Sequence, residues 1–206
     1  ATQAILPLRG KILNVASASA DKLQANQELK DLCQALGCGT RGDFKLDNLR
    51  YERVIIMTDA DVDGAHIASL LMTFFYREMS GLIESGRLYL AMPPLYRIQQ
   101  GAKTVYAMDD AHKDRLLESD FKGRGRIDIS RFKGLGEMPP AQLKDTTMDP
   151  SKRTLIQVQV PDRRREDELE ESRRTANTVD TLMGKKPEKR FNFIQENARF
   201  VDDIDL

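Results

Sequence analysis

The stretch RVIIMTDADVDG, residues 53–64, places a short apolar run directly before three aspartates. Residues 53–57 predict a strand that is buried on both faces, as parallel strands usually are. Residues 65–83 predict a long helix, because their apolar side chains recur at helical spacing. Its apolar face would consist of Ile67, Leu70, Leu71, Phe74, Phe75, Met79 and Leu82. A strand, an acidic loop and a helix form half of a βαβ unit, so we expect an α/β fold with a ligand site at the carboxyl end of the strand.

The aspartates of this loop, Asp59, Asp61 and Asp63, occupy alternate positions along the chain. Carboxylates this close repel one another unless a cation is bound, and a hard divalent ion is the simplest partner. Magnesium would use one or two of them and complete its shell with waters and phosphate oxygens. Helix capping is the other interpretation, because negative charge is favoured where a helix starts near Ala65. One acid is enough for a cap, so three favour a metal site.

Two other classes of acidic loop can be tested on the same residues. An EF-hand needs a glutamate at its twelfth position, which is Leu70 here, and a helix rather than a strand before it. The segment 61–64 resembles the nucleophile motif of haloacid-dehalogenase-type phosphatases. That family usually has Thr or Val where this chain has Ala65, and its nucleophile directly follows the strand, a place held by Asp59. The phosphatase stays open as an alternative.

The segment ahead of the acidic loop has three predicted parts. Residues 4–15 predict two short apolar strands around the basic turn Arg9–Lys11, where a glycine between two cations makes a compact site for an anion. Residues 17–38 predict a helix that ends at a pair of glycines. Its candidate caps are Ser17, Ser19 and Asp21. Residues 39–49 are rich in glycine and charge, which predicts a loop.

The segment after the long helix contains further strands and turns. Strands are predicted at residues 87–92, 103–108 and 154–160. The residues Gly134–Pro140 predict a tight turn that leads into a short helix at residues 141–145. From Asp162 the composition becomes charged and poor in aromatic residues, which predicts a helical appendage. Its run Arg163–Arg165 beside acidic residues is typical of a solvated helix face.

The balance of charge and apolar length limits the possible function classes. Among 206 residues, 32 Lys and Arg face 32 Asp and Glu, which excludes a globally basic nucleic-acid coat. A polyanion would need a local patch, and the best one is residues 122–133, where five cations face one acid. The longest nearly apolar run, residues 67–75, is far shorter than the ~20 residues that span a bilayer, so we expect a soluble, cytoplasmic protein without a membrane partner. Cys33 and Cys38 are too few for a zinc site and predict two reduced thiols.

Four longer motifs carry a resemblance to a known family. They are LPLRGKILNV at 6–15, TDADVDGAHI at 58–67, PPLYRI at 93–98 and FKGLGEMP at 132–139. Together they resemble the B subunit of bacterial type IIA topoisomerases over nearly the whole chain. The ending at residues 183–201 and the short spacing between Pro94 and Lys133 are more similar to the topoisomerase IV branch than to the gyrase branch, which stays the alternative.

The resemblance implies two regions. Residues 1–127 would be a TOPRIM domain, a Rossmann-like parallel sheet flanked by helices, and residues 128–206 the C-terminal region of the B subunit with a helical extension. The family's general acid-base glutamate lies in a strand-turn that nothing in this chain matches, so the domain would lack its first strand and that glutamate. The start at Ala1, without a cap before the first apolar residues, also indicates part of a longer protein. We therefore expect the chain alone to be inactive.

The resemblance also implies a cofactor and site residues. Asp59 and Asp61 would be catalytic ligands of Mg²⁺, with Asp63 as a supporting or alternate ligand. Lys133, with the turn at residues 134–137, would support the cleavage site as a further catalytic residue. The implied DNA-binding residues are Arg9, Lys11, Asn14 and His66.

The implied activity is cleavage and religation of double-stranded DNA, within the ATP-dependent strand passage that decatenates and relaxes DNA. ATP would bind an upstream domain. The catalytic tyrosine would belong to a topoisomerase A subunit in an A2B2 heterotetramer, so none of the five tyrosines here would be a nucleophile. Quinolone-type inhibitors act at such sites, which implies a drug contact near Arg9 and residues 24–28. The rival class is a purely structural module that docks the A subunit and DNA.

Overall fold

The computed structural model describes residues 2–121, 123 and 125–198. These residues form two compact units that interleave along the chain. The first unit contains the described residues of 1–54, 66–88 and 157–206, and the second contains those of 55–65 and 89–156. The predicted boundary between residues 127 and 128 divides the sequence into two continuous stretches, whereas these units group residues by their contacts in space. The boundary therefore stays a prediction.

Six strands and eight α-helices are present in the described residues. The strands are β1 (Val54–Ile56), β2 (Leu88–Met92), β3 (Tyr96–Gln100), β4 (Lys103–Ala107), β5 (Asp128–Arg131) and β6 (Thr154–Gln157). The helices are α1 (Ala20–Ala25), α2 (Gln27–Leu36), α3 (Val62–Glu78), α4 (Ser80–Glu84), α5 (Asp110–Asp120), α6 (Pro140–Leu143), α7 (Leu169–Met183) and α8 (Pro187–Asn197). Strands β1, β2 and β6 form one sheet in the order β1-β2-β6, so the strands predicted at residues 53–57, 87–92 and 154–160 are confirmed with shorter bounds.

The long helix predicted at residues 65–83 begins earlier and is interrupted. Helix α3 starts at Val62, and the backbone leaves the helical region at Met79 (φ −142°, ψ 47°) before α4 continues. The predicted apolar face is buried at six of its seven positions, with Ile67 only partly buried. The face was predictable because it follows from spacing alone. The break at Met79 precedes the pair Ser80–Gly81, a combination at which helices commonly kink, and the prediction did not use this signal.

Two predictions ahead of the acidic loop are wrong. Residues 4–15 form no strand, because no strand of the described part pairs with them; Ile12 and Val15 are the residues of this segment that are buried. The helix predicted at residues 17–38 is divided into α1 and α2. Its break is Asn26, whose side chain accepts a hydrogen bond from the Leu29 N–H at 2.9 Å and so caps α2. Ser19 precedes α1, but its side chain makes no cap hydrogen bond.

The second unit contains an antiparallel sheet in the order β4-β3-β5. Tyr96 pairs with Ala107 and with Arg131, and Ile98 pairs with Val105. Tyr96, Ile98, Ala107 and Phe121 form a buried cluster against which residues of α5 pack. Of the three strands in this sheet, only β4 was predicted, at residues 103–108. Strands β3 and β5 pair across about 30 residues of sequence, and local sequence patterns do not reveal such distant pairing.

The C-terminal part is helical, as predicted, with α7 followed by α8. Arg190 donates hydrogen bonds to the carbonyl oxygens of Leu182 and Gly184, which ties α8 to the end of α7. The run Arg163–Arg165 lies in a turn before α7 rather than on a helix face. Arg164 and Arg165 pair with neighbouring carboxylates, whereas Arg163 donates to the Tyr76 hydroxyl at 2.8 Å. No helix in the described part of the chain is long and apolar enough to cross a membrane.

Both cysteines are free thiols, as the sequence predicted. Cys38 is buried, and its Sγ lies 4.0 Å from the Met79 Sδ. Burial raises the pKa of Cys33 and of Cys38, because the thiolate form is poorly solvated there.

An ion pair between Arg41 and Glu78 stabilises the first unit. Glu78 is only 9% exposed, and both of its carboxylate oxygens accept hydrogen bonds from the Arg41 guanidinium at 2.7 Å. Arg41 itself has a positive φ of 49°, which an L-residue rarely adopts. The two-point contact keeps Arg41 in this conformation and neutralises the buried charge.

We expect Arg41→Ala to lower the free energy of unfolding by about 1–3 kcal/mol, because the Glu78 carboxylate loses its charged partner. The Arg41 side chain is 64% exposed, which keeps the expected loss below that of a fully buried pair. Urea unfolding is the measurement. The double variant Arg41→Ala/Glu78→Gln should recover part of the loss, since glutamine buries no charge; no recovery would contradict this explanation.

The pH dependence of the second unit should depend on Asp110. Its carboxylate accepts hydrogen bonds from Lys113 and from the Tyr96 hydroxyl, each at 2.8 Å, and these hold the pKa of Asp110 below its usual range. A lowered folded pKa adds stability above the unfolded value, and this stability is lost as the pH falls through the folded value.

We therefore expect the urea midpoint of wild type to exceed that of Asp110→Asn near pH 7, and the difference to shrink at a second, acidic pH at which the Asp110 carboxylate is protonated. Asparagine can still accept from Tyr96, so the variant removes charge rather than the contact. Glu118→Gln, which neutralises an exposed acid of the same helix, is the control. A difference between wild type and Asp110→Asn that is the same at both pH values would contradict the assignment.

Candidate metal centre

The acidic loop joins β1, which ends at Ile56, to α3, which begins at Val62. Asp59, Asp61 and Asp63 are all exposed. Asp61 is the residue directly before α3, and its Oδ1 accepts a hydrogen bond from the Gly64 N–H at 2.7 Å. This is the geometry of an N-terminal cap. The capping interpretation is therefore right for Asp61, while Asp63 lies in the first turn of the helix.

Asp59 makes a longer-range contact. Its Oδ1 accepts a hydrogen bond from the Leu135 N–H at 2.7 Å, although the two residues are 76 positions apart. Two glycines allow this packing. A Cβ at Gly134 would lie 2.8 Å from the Asp59 Cγ, and a Cβ at Gly64 would lie 2.0 Å from the Asp59 carbonyl oxygen. Both distances are too short for any larger residue to fit without displacing Asp59.

The segment that holds Asp59 is the turn Lys133–Glu137. The Glu137 Oε2 accepts a hydrogen bond from the Lys133 N–H at 2.7 Å, which joins the last residue of the turn to the first. Leu135–Glu137 forms one short 3₁₀ turn, in which the Glu137 N–H donates to the Gly134 carbonyl oxygen at 3.2 Å. The Lys133 side chain is exposed.

An apolar recess supports this turn from within the second unit. Its lining includes Pro93, Pro94, Leu95, Phe132 and Met138, together with Ala60 of the acidic loop. The Phe132 N–H donates to the Leu95 carbonyl oxygen at 2.8 Å. Three of the four sequence motifs, those at residues 58–67, 93–98 and 132–139, therefore meet in one place.

The donor chemistry of this place fits magnesium. Among the described residues, no group of three or more His, Cys, Asp or Glu side chains is placed to hold a metal ion. A magnesium site does not need one, because one or two carboxylates suffice when waters and phosphate oxygens complete the shell. Asp59 and Asp61 each use one oxygen to accept from a backbone N–H. A carboxylate has further acceptor sites, so both remain able to ligate a hard cation.

The predicted DNA-binding residues belong to the first unit. Arg9, Lys11 and His66 are exposed. Asn14 has a structural task, since its Nδ2 donates to the Met183 carbonyl oxygen at 2.9 Å and its Oδ1 accepts from the Ala16 N–H at 3.0 Å. A DNA contact by any of these four residues stays a prediction.

The basic segment at residues 122–133 is described only in part. Lys122 and Arg124 lie outside the described residues. Arg126 pairs with Asp128 at 3.1 Å, and the Arg131 guanidinium lies 6.0 Å from the centre of the Tyr96 ring.

The sequence predicted a turn at residues 134–137 but not its contact with Asp59. The Leu135 N–H is a backbone donor, and Gly64 contributes by leaving room for the Asp59 carbonyl oxygen. Neither contribution depends on side-chain chemistry, so residue types do not reveal it. The contact of Glu137 with the Lys133 N–H spans four residues, one more than a capping box, so that pattern does not reveal it either.

Two known protein families match separate parts of the chain. Residues 1–93 match the Toprim domain family, and residues 124–195 match the carboxyl terminus of the DNA gyrase B subunit. The Toprim match confirms the predicted fold, with its sheets and helical C-terminal part.

Similar curated proteins include B subunits of DNA topoisomerase 4 and of DNA gyrase. The chain is 62% identical over 205 residues to the B subunit of this enzyme from Caulobacter vibrioides, and 59% identical over 204 residues to that from Bartonella bacilliformis. Each alignment covers 99% of this chain and 28% of the relative. The DNA gyrase B subunit of Halalkalibacterium halodurans is 51% identical over 204 residues, which are 99% of this chain and 30% of that protein.

The chain thus spans less than a third of the length of these relatives. The Toprim match precedes the match to the gyrase B carboxyl terminus, and the motifs at residues 58–67, 93–98 and 132–139 meet at one exposed acidic site. The chain is more than 50% identical to the topoisomerase 4 and gyrase B subunits named above. The chain belongs to the family of bacterial type IIA topoisomerase B subunits.

Proposed function

We propose that this chain is the Mg²⁺-holding DNA cleavage and religation region of a type II topoisomerase B subunit, of the topoisomerase IV branch. The observation that carries the proposal is the hydrogen bond between Asp59 and the Leu135 N–H, which brings the acidic loop onto the turn that carries Lys133. Carboxylates for a cation and an ammonium for a phosphate are thereby presented together at the surface of one unit.

Asp59 and Asp61 would hold Mg²⁺, with Asp63 as a supporting or alternate ligand. A bound magnesium ion supplies Lewis-acid stabilisation of charge that develops on a DNA oxygen. Lys133 would contact a neighbouring phosphate. Arg9, Lys11, Asn14 and His66 would add contacts to DNA, and phosphate contacts position a duplex without reading its sequence.

The remaining parts of the activity would come from outside this chain. A topoisomerase A subunit would supply the tyrosine nucleophile in an A2B2 heterotetramer, and an upstream region would supply ATP hydrolysis. The chain alone would then be inactive, and its full protein would pass one duplex through another in the cytoplasm to decatenate and relax DNA. A quinolone-type inhibitor would bind near Arg9 and residues 24–28.

The test is a chimeric protein, in which this chain replaces the matching 205 residues of the Caulobacter relative, assembled with that organism's A subunit. We expect Asp61→Asn to reduce magnesium-dependent plasmid cleavage at least about tenfold, because it removes a charged ligand. Asparagine caps a helix as well as aspartate does, so the unfolding temperature should be unchanged.

The matched control is Asp114→Asn, which removes an exposed carboxylate of α5 in the same unit, outside both the acidic loop and the basic segment. It should cleave as wild type does. Normal cleavage by Asp61→Asn would remove the metal role and favour a docking module. Metal-dependent release of phosphate from a phosphomonoester by the chain alone, with a phosphoaspartate at Asp61, would instead support a phosphatase.

A further inference from the structure

The turn Lys133–Glu137 constrains Asp59 from two directions. The Leu135 N–H donates to one oxygen of the carboxylate, and the Gly134 Cα lies against the rest of the group, so closely that a Cβ would be 2.8 Å from its Cγ and 3.0 Å from its Oδ2. On the other side, Gly64 packs against the Asp59 carbonyl oxygen. An exposed aspartate would ordinarily sample several rotamers, and these contacts select one.

Glu137 determines the shape of this turn. Its carboxylate reaches back to the Lys133 N–H at 2.7 Å, across the residues that touch Asp59. Both ends of the segment are anchored by burial, since Phe132 and Met138 are 9% and 6% exposed. Between these anchors, the hydrogen bond of Glu137 is the side-chain contact that keeps the Leu135 N–H directed at Asp59.

A ligand held in one orientation binds a cation better than a mobile one, because no conformational freedom is lost on binding. Residues that orient a metal ligand commonly change metal affinity 10–100-fold, although they never touch the metal. The contacts of Asp59 with Leu135 and Gly134 are of this orienting kind.

We propose that the turn Lys133–Glu137 is a clamp that orients the Asp59 carboxylate, and that Glu137 is the positioning residue that keeps the clamp closed. The cation-binding consequence rests on the proposed function, whereas the clamp itself exists without a metal and can be tested in its absence.

The first test uses the ¹⁵N-labelled chain without metal and follows the Leu135 amide by NMR. In wild type this amide should exchange with solvent slowly. Glu137→Ala should accelerate its exchange at least about tenfold, because the donor is no longer held against Asp59. Glu137→Gln should remain slow, since an amide oxygen can still accept from the Lys133 N–H. Fast exchange in wild type, or no change in Glu137→Ala, would overturn the clamp.

A pair of glycines in the same turn supplies a matched comparison. Gly134 has an extended backbone (φ −160°) that any residue adopts, so Gly134→Ala adds only the collision with Asp59. Gly136→Ala adds the same methyl group where nothing lies within 4 Å. The first variant should speed exchange of the Leu135 amide and the second should not. Equal effects of the two variants would contradict the orienting contact.

The second test measures plasmid cleavage by the chimeric protein, assembled as above, across magnesium concentrations. Glu137→Ala and Gly134→Ala should raise the Mg²⁺ concentration for half-maximal cleavage by about 10–100-fold, with maximal cleavage recovered at high Mg²⁺. Glu137→Gln should raise that concentration less than Glu137→Ala does. Gly42→Ala, which adds a methyl group outside the turn where nothing lies within 4 Å, should behave as wild type. A merely structural role would instead reduce cleavage equally at every Mg²⁺ concentration and overturn the proposal. Failure of the proposed function gives a different result from failure of the clamp. If the proposed function fails, Asp61→Asn cleaves normally, but the Leu135 amide still exchanges slowly in wild type and faster in Glu137→Ala.

Discussion

The hydrogen bond from the Leu135 N–H to the Asp59 Oδ1 joins segments that are 76 residues apart, and the acidic site is built around it. A hydrogen bond to a charged acceptor is worth more than a neutral one, but exposure to water reduces its value at this surface. Its importance is geometric. The contact exists only because Gly64 and Gly134 leave room for Asp59, and because the apolar recess of Phe132 and Met138 fixes the ends of the turn.

Capping and metal binding are compatible tasks for this loop. Asp61 caps α3 through one oxygen, and Asp59 receives a backbone N–H in the same way. Two backbone dipoles therefore lower the repulsion between neighbouring carboxylates without removing their negative charge. The loop can then remain folded without a cation and still present charged oxygens to one.

Local patterns in the sequence predicted β1, the buried face of α3, the turn before α6 and the helical C-terminal part. Each depends on residues close together in the chain. The misses depend on partners instead. Residues 4–15 have strand character but no partner strand among the described residues, and β3 and β5 become strands through pairing across the sheet. The carboxylates of the site were predictable from the sequence. The backbone N–H donors of Leu135 and Gly64 were not, because their contribution depends on their position in the folded chain and not on residue type.

A divalent cation held by Asp59 and Asp61 can be located directly by titrating Mn²⁺ into the ¹⁵N-labelled chain, since a paramagnetic ion broadens the amide signals nearest to it. We predict that the amides of Gly64 and Leu135, which donate to these two carboxylates, broaden first and recover when Mg²⁺ is added in excess. Broadening that begins elsewhere in the chain, or that excess Mg²⁺ does not reverse, would contradict a magnesium site at the acidic loop.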